Sequence, residues 1–105
     1  MNKNSIIDGD WETREVCIDG KLLSPVRSQK VWNHSPDGFA WGYGGSGPAQ
    51  LALAFLLEAT TEDEAKKYYQ DFKFNIISAI SQKDFELPAS KIYEWLEERR
   101  SRNDI

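Results

Sequence analysis

One cysteine, one histidine and four prolines stand in a chain of 105 residues. With Cys17 alone, no intrachain disulfide can close, and a secreted scaffold stapled by cystines is excluded. Cys17 sits in the apolar run Val16-Cys17-Ile18 with no basic neighbour to lower its pKa, so it reads as a small buried hydrophobe. A single His, a single Cys and no paired carboxylate spacing speak against a metal centre. The longest apolar run, Leu51 to Leu57, is far short of the roughly twenty residues that a bilayer demands. Met1–Ser5 leads to only Ile6 and Ile7 before Asp8, so no signal-peptide core is expected and a cytoplasmic location is the default. Basic surplus is missing too. Thirteen Lys and Arg against seventeen Asp and Glu give a net charge of −4, which disfavours nucleic acid as a partner. There is no internal repeat, charge block or low-complexity linker.

What remains is an ordinary globular composition, 40% hydrophobic and 29% charged, enriched in aromatics at 12%. A chain of this size buries roughly 60–70% of its unfolded surface, enough for one modest core. The expected organisation is a poorly ordered tail over residues 1–10, a single α+β domain over 11–100, and a C-terminal tail over 101–105.

The first half reads as β. Trp11 to Ile18 carries strand formers and ends at Asp19-Gly20, a two-residue hairpin turn, with Lys21-Leu22-Leu23 returning. A second hairpin is expected around Ser35-Pro36-Asp37-Gly38, with strands over Gln29–Asn33 and Phe39–Trp41. The second half reads as helix. Pro48 suits a first helical turn, and the segment after it is apolar nearly all round, so it should be the central buried helix. Thr61-Glu62-Asp63-Glu64 fits a capping box, and Ala65, Tyr68, Phe72, Ile76 and Ile80 follow on one helical face. A last helix from about Pro88 to Arg100 buries Ile92, Trp95 and Leu96. The predicted fold is therefore α+β: a small antiparallel sheet of about four strands in two hairpins, followed by three helices packed on it.

Chemistry, if there is any, belongs to residues 33–50. Four of the seven glycines fall between Gly42 and Gly47, directly before the apolar helix. Such a loop exposes several backbone amides near a helix start, where the dipole favours a phosphate or carboxylate. The plainer account is structural: small residues let the chain reverse and bring a helix close to its neighbours. No Lys-Ser/Thr pair follows the loop and no βαβ unit surrounds it, so neither established phosphate motif is present. The ligand-binding expectation rests on His34, Trp41, Tyr43, Gly44, Gly45, Ser46, Gly47 and Gln50, with Trp41 and Tyr43 as a stacking surface. At period-two spacing those rings are also what the packed face of a sheet contains. His34, Ser35 and Asp37 share one turn and cannot readily converge, so a hydrolytic triad is disfavoured and no catalytic residue is assigned.

The stretch from Asn33-His34-Ser35-Pro36 through Trp41-Gly42-Tyr43-Gly44-Gly45-Ser46-Gly47-Pro48-Ala49-Gln50 to Ala54 resembles a family of short uncharacterised proteins of bacterial, archaeal, plasmid and phage genomes, a domain of unknown function. Tyr69-Gln70, Phe72-Lys73, Ile92, Trp95 and Leu96 are similar to that family's C-terminal half. The resemblance spans about residues 33–97 and implies an association with mobile elements, hence accessory or anti-defence roles. Two functions are carried forward: a non-enzymatic protein binding an anionic, nucleotide-like small molecule at the glycine-rich loop, or a protein-binding inhibitor or adaptor acting on a host protein. An enzyme with His34 as acid–base is the weakest reading. No cofactor and no membrane contact are called for, and a homo-oligomer stays open because four Trp and a wholly apolar helix are much for one protomer to cover.

Overall fold

A computed structural model describes residues 1–103. It contains a four-stranded antiparallel sheet and four α-helices, an α+β fold. The strands are β1 (Ile6–Gly9), β2 (Val16–Ile18), β3 (Lys21–Leu22) and β4 (Phe85–Pro88), in the order β3-β2-β1-β4. The helices are α1 (Val26–Val31), α2 (Ser46–Ala59), α3 (Glu62–Phe72) and α4 (Ser90–Asn103), with a π-helical turn over Lys73–Ile77 after α3.

The first hairpin forms as its turn chemistry dictates. Asp19 and Gly20 take φ of 52° and 80°, the left-handed pair that a tight hairpin requires. Register Ile7↔Ile18 and Gly9↔Val16 puts these residues on the face that covers the core, and Asp8↔Cys17 on the other. Cys17 is thus half-buried on the outward face, not in the core as its apolar neighbours suggested.

Three expectations are corrected. Residues 1–10 are not a loose tail: β1 is an inner strand, paired with both β2 and β4. Ser5 is buried, and the Tyr93 hydroxyl donates to the Met1 carbonyl at 3.0 Å. Two apolar residues gave little signal, yet Ile7 and Gly9 are the only β1 positions that face the core.

The second hairpin expected around Ser35–Gly38 is absent among the described residues. Gln29 lies in α1 and Phe39–Trp41 in an irregular segment, although the turn at Ser35 does close, with the Gly38 amide donating to the Ser35 carbonyl at 3.2 Å. Ser24 accepts from the Val26 amide, and Pro25 presets the backbone for a helix start, so the chain turns helical where a strand was read. The fourth strand comes instead from Phe85–Pro88, inserted between α3 and α4. Its terminal Pro88 lies at the sheet edge, where a missing N–H is tolerated.

Residues 101–103 of the expected C-terminal tail are helical. α4 continues to Asn103, and only positions 104 and 105 of that tail lie outside the described residues.

α2 is the centre of the molecule. Every residue from Gly47 to Leu57 is buried, against α1, α3, the π-helical turn and α4. The helix that left a homo-oligomer open is covered within one chain. Of the four tryptophans only Trp32 is exposed.

The expected capping box is half realised. The Thr61 hydroxyl accepts from the Glu64 amide, but the Glu64 carboxylate turns to Thr60 and Arg100 instead. The π-helical turn adds one residue to the helical phase, so Ile77 is fully buried in place of Ile76. Arg99 and Arg100 tie α4 to Asp71 and Glu64 of α3, while Arg102 pairs with Glu98 one turn back.

Candidate functional site

The residues singled out around the glycine-rich loop divide into a core set, a bracket and a surface set. Trp41 belongs to the core. It is fully buried, its indole N–H donates to the Lys83 carbonyl at 3.0 Å, and its ring meets Trp11 and Phe85 edge-on at 5.6 and 4.8 Å. It offers no face to a ligand. Gln50 and His34 form the bracket. Gln50 is fully buried; its Oε1 accepts from the amides of His34 and Ser35 at 2.8 and 3.0 Å, and its Nε2 donates to Ser28 Oγ and the Trp32 carbonyl. Its carboxamide is spent on holding residues 32–35 against α1 and α2.

His34 turns away from the loop. Its Nε2 lies 2.8 Å from the Tyr69 hydroxyl, which also accepts from Gln70 Nε2 at 3.1 Å. Because Gln70 already donates, the phenol proton is free to point at His34, which favours the tautomer with hydrogen on Nδ1. Trp32 flanks the pair, 5.6 Å from the Tyr69 ring, with the Lys66 ammonium 5.4 Å over its indole. Among the described residues the hydrogen-bond partner of this imidazole is Tyr69 and not an Asp or Glu, so the orienting carboxylate of a nucleophilic triad is not in place there.

The glycines themselves are accounted for by packing. Gly42 has φ of 84°, and a Cβ there would sit 2.9 Å from the Ile80 carbonyl oxygen. A Cβ at Gly47 would come within 2.7 Å of Ala40 Cβ and 3.2 Å of the Ala40 nitrogen. At Gly45 the obstacle is the Tyr43 ring, which lies across the loop, 2.5 Å from the Cβ position. Gly44 is exposed and meets only the Phe74 ring edge, at an ordinary 3.6 Å.

The surface set lines a cleft. Tyr43, Ser46 and Gly47 line it together with Ser35, Asp37 to Ala40, Thr13 and Arg14, around a volume of about 370 Å³. Gly45 caps α2 with no side-chain hydrogen bond, and no acidic residue stands in its first turn, so the positive end of the dipole is uncompensated there. Arg14 is the residue that reading the sequence missed. Asp10 winds the preceding loop by accepting from Glu12 and Thr13 amides, and Arg14 is held at φ of 64°. Its guanidinium carbon lies 3.3 Å from the centroid of the Trp11 ring. Among the described residues, Arg14 makes no ion pair. The only trace of this in the sequence is Asp10 four residues ahead of a basic side chain. Thus Tyr43, Ser46 and Gly47 share a cleft with Arg14, whereas His34, Trp41 and Gln50 do not line it. Among the described residues no group of His, Cys, Asp or Glu could hold a metal ion, and no helix is long and apolar enough to cross a membrane.

Residues 8–98, nearly the whole chain, match the profile of a family described as Family of unknown function (DUF6166). The chain belongs to that family. No curated protein and no solved structure matches it. The matched span starts at Asp8 within β1 and ends at Glu98 within α4, so all four strands and the cleft of this DUF6166 member lie inside it or overlap it.

Proposed function

We propose that this protein binds a small anionic ligand, a carboxylate or phosphate, in the cleft between Arg14 and the start of α2. One observation carries the reading: Arg14 lines the same cleft as the uncapped first turn of α2, at Ser46 and Gly47. A cation and a helix start beside one concave space both favour an anion there. The glycines support this only indirectly, since most of them answer to packing. A nucleotide-like ligand had rested on two rings, and burial removes Trp41, leaving Tyr43 as the single exposed ring of the pair. The narrower reading is therefore an anion.

Titration with inorganic phosphate and acetate, followed by the backbone amide resonances of Ser46 and Gly47, tests it. Saturable shifts at these two amides are expected, weakened about tenfold in Arg14→Met, which keeps an apolar stem on Trp11. Absence of saturable shifts at tens of millimolar of either anion would sink the reading.

A second reading, docking of a partner protein, draws on Tyr43 and Phe74. These are 46% and 62% exposed and flank Gly44, with the Lys73 ammonium 4.1 Å over the Phe74 ring. An accessory or anti-defence role in a mobile element would act through such a surface. Here Phe74→Ser would abolish partner capture and Arg14→Met would leave it intact. The reverse pattern would refute docking at this patch.

A further inference from the structure

Lys73 is only 7% exposed, yet among the described residues its ammonium meets no carboxylate and no hydrogen-bond acceptor. A lysine that deep is normally paired. Its stem is enclosed but its head is not. Among the described residues, Arg99 Nε is the one side-chain polar atom sealed from water without a partner, so the Lys73 ammonium reaches the surface. The geometry fixes where that head lies. It stands 4.1 Å over the centroid of the Phe74 ring, which is 62% exposed and packs beside Gly44. Both residues belong to the π-helical turn, an insertion that proteins keep mostly where it serves a site.

A second unit of the same kind lies two turns back on α3. Lys66 places its ammonium 5.4 Å over the ring of Trp32, which is 43% exposed. Positions 66 and 73 are seven apart, so they share one helical face and stand roughly 10 Å from each other along the axis. Tyr69 lies between them and carries the strip across to Trp32, with ring centroids 5.6 Å apart. Lys66 is shared with Glu62 at 3.3 Å, an exposed pair that holds little.

We infer that this strip docks an acidic, apolar protein segment: two carboxylates meet Lys73 and Lys66, and apolar side chains cover Phe74 and Trp32. The inference rests on the docking reading above and names the partner's chemistry from charge complementarity. Lys73 takes a carboxylate without giving one up, and its packed stem has little rotamer freedom left to lose. Rings this exposed enclose nothing themselves, so they are covered only by apolar groups that the partner brings. Carboxylates seven residues apart in a helix, or three apart in an extended segment, span the same roughly 10 Å. Single-stranded nucleic acid also seeks rings and ammonium groups. It carries a charge at every step, however, and Glu62, Asp63 and Asp71 stand on the same helix of a chain with net charge −4. Spaced carboxylates fit that surface better.

A random dodecapeptide library displayed on phage is selected against the full chain, and the enriched peptides are made with capped ends. The winners are expected to carry two Asp or Glu at one of those spacings, with apolar residues beside them. Added to the labelled chain, they should shift the Trp32 indole and the Phe74 ring together. Lys73→Met keeps the buried stem and should weaken them about tenfold, while Lys73→Arg restores binding and Arg14→Met changes nothing. Phe74→Ser alters only the exposed side of the turn and should weaken them as well. If the winners shift only one ring, show no acidic preference or bind Lys73→Met as tightly, the partner chemistry is overturned and docking stands. If no winner shifts either ring, both fall. Two further outcomes overturn the inference. Oligothymidylate binding these rings more tightly than the winners would assign the strip to single-stranded nucleic acid. Ring shifts that follow protein concentration alone would assign it to a second copy of this chain.

Discussion

The Gln50 side-chain oxygen accepts a hydrogen bond from the His34 backbone amide at 2.8 Å, deep in the molecule where Gln50 is fully buried. With the bonds to Ser35, Ser28 and Trp32, every polar atom of this carboxamide has a partner. A polar side chain in the middle of an apolar helix is tolerable on that condition only. Gln50→Ala would leave two backbone amides without acceptors in a dry site, as well as a void. A loss of about 2–4 kcal/mol in unfolding free energy is expected, read by urea denaturation with tryptophan fluorescence. Gln50→Glu keeps the acceptor but loses both donors and buries a carboxylate facing the Trp32 carbonyl. Its deficit relative to wild type should therefore be larger at neutral than at acidic pH, where the carboxyl is protonated. A neutral effect of both substitutions would mean that residues 32–35 are held by something else.

The glycines should separate by what their missing side chains would strike. Gly42→Ala meets both a left-handed backbone and the Ile80 carbonyl, and Gly47→Ala meets the Ala40 backbone. Both are expected to destabilise by about 1–3 kcal/mol. Gly45→Ala meets only the Tyr43 ring, which is exposed and can swing outward, so its cost should stay under about 1 kcal/mol. Thermal unfolding of the three variants side by side checks the order. Equal costs would show that the loop's packing is not what selects glycine.

Gly9 offers an independent case on the sheet. A Cβ there would lie 2.1 Å from Phe85 Cε1, because the Phe85 ring covers the glycine on its way to Trp41. Gly9→Ala should push that ring off its place and cost about 1–3 kcal/mol. Gly9→Ala combined with Phe85→Leu should recover part of the loss if the ring is the obstacle. No recovery in the double variant would locate the strain elsewhere in β1.

These contacts mark what the sequence could and could not disclose. The Asp19-Gly20 turn, the buried α2 and the face Ala65, Tyr68, Phe72 were legible, because turn chemistry and helical period are local. β1 and β4 were not, since Ile6–Gly9 and Phe85–Pro88 become strands only by pairing across most of the chain. Trp32 to Trp41 misled for a related reason. Its alternating rings resemble a strand, but Phe39 and Trp41 are buried by tertiary packing without a ladder. At the site, Tyr43, Ser46 and Gly47 were found because glycines flag a helix start. Arg14 went unseen, since nothing local links residue 14 to residue 46.

The outward-facing thiol is expected to be sluggish. Cys17 is held above its usual value by burial first, then by the negative charges of Asp8 and Glu15. At neutral pH it should react with a disulfide reagent more slowly than an exposed peptide thiol. Asp8→Asn should speed the reaction modestly, because it removes one of the two charges opposing the thiolate. A rate equal to that of a free thiol at neutral pH would contradict the placement of Asp8 directly across from Cys17.

The strongest pH signature should come from the network that joins three helices. Glu64 near the start of α3 takes hydrogen bonds from Arg100 of α4, at 2.7 and 2.9 Å, and from Thr60 just past α2. Those bonds, Arg100 first and Thr60 second, hold the Glu64 carboxyl down to about 2 from an ordinary 4.5. A carboxyl whose folded value is depressed binds its proton more readily once unfolded. Its stabilisation is therefore complete above about 4.5 and is lost as pH falls toward 2. The side chains of Glu64 and Arg100 are 31% and 44% exposed, so solvent screening limits the gain to about 1 kcal/mol. Glu64→Gln should then be less stable than wild type by about that amount at pH 7, and the gap should close as pH falls from about 4.5 toward 2. Parallel urea titrations at several pH values measure it. A gap that persists unchanged at pH 2 would assign the loss to packing at the α3 start, and the ion pair with Arg100 would carry no part of the helix-to-helix tie.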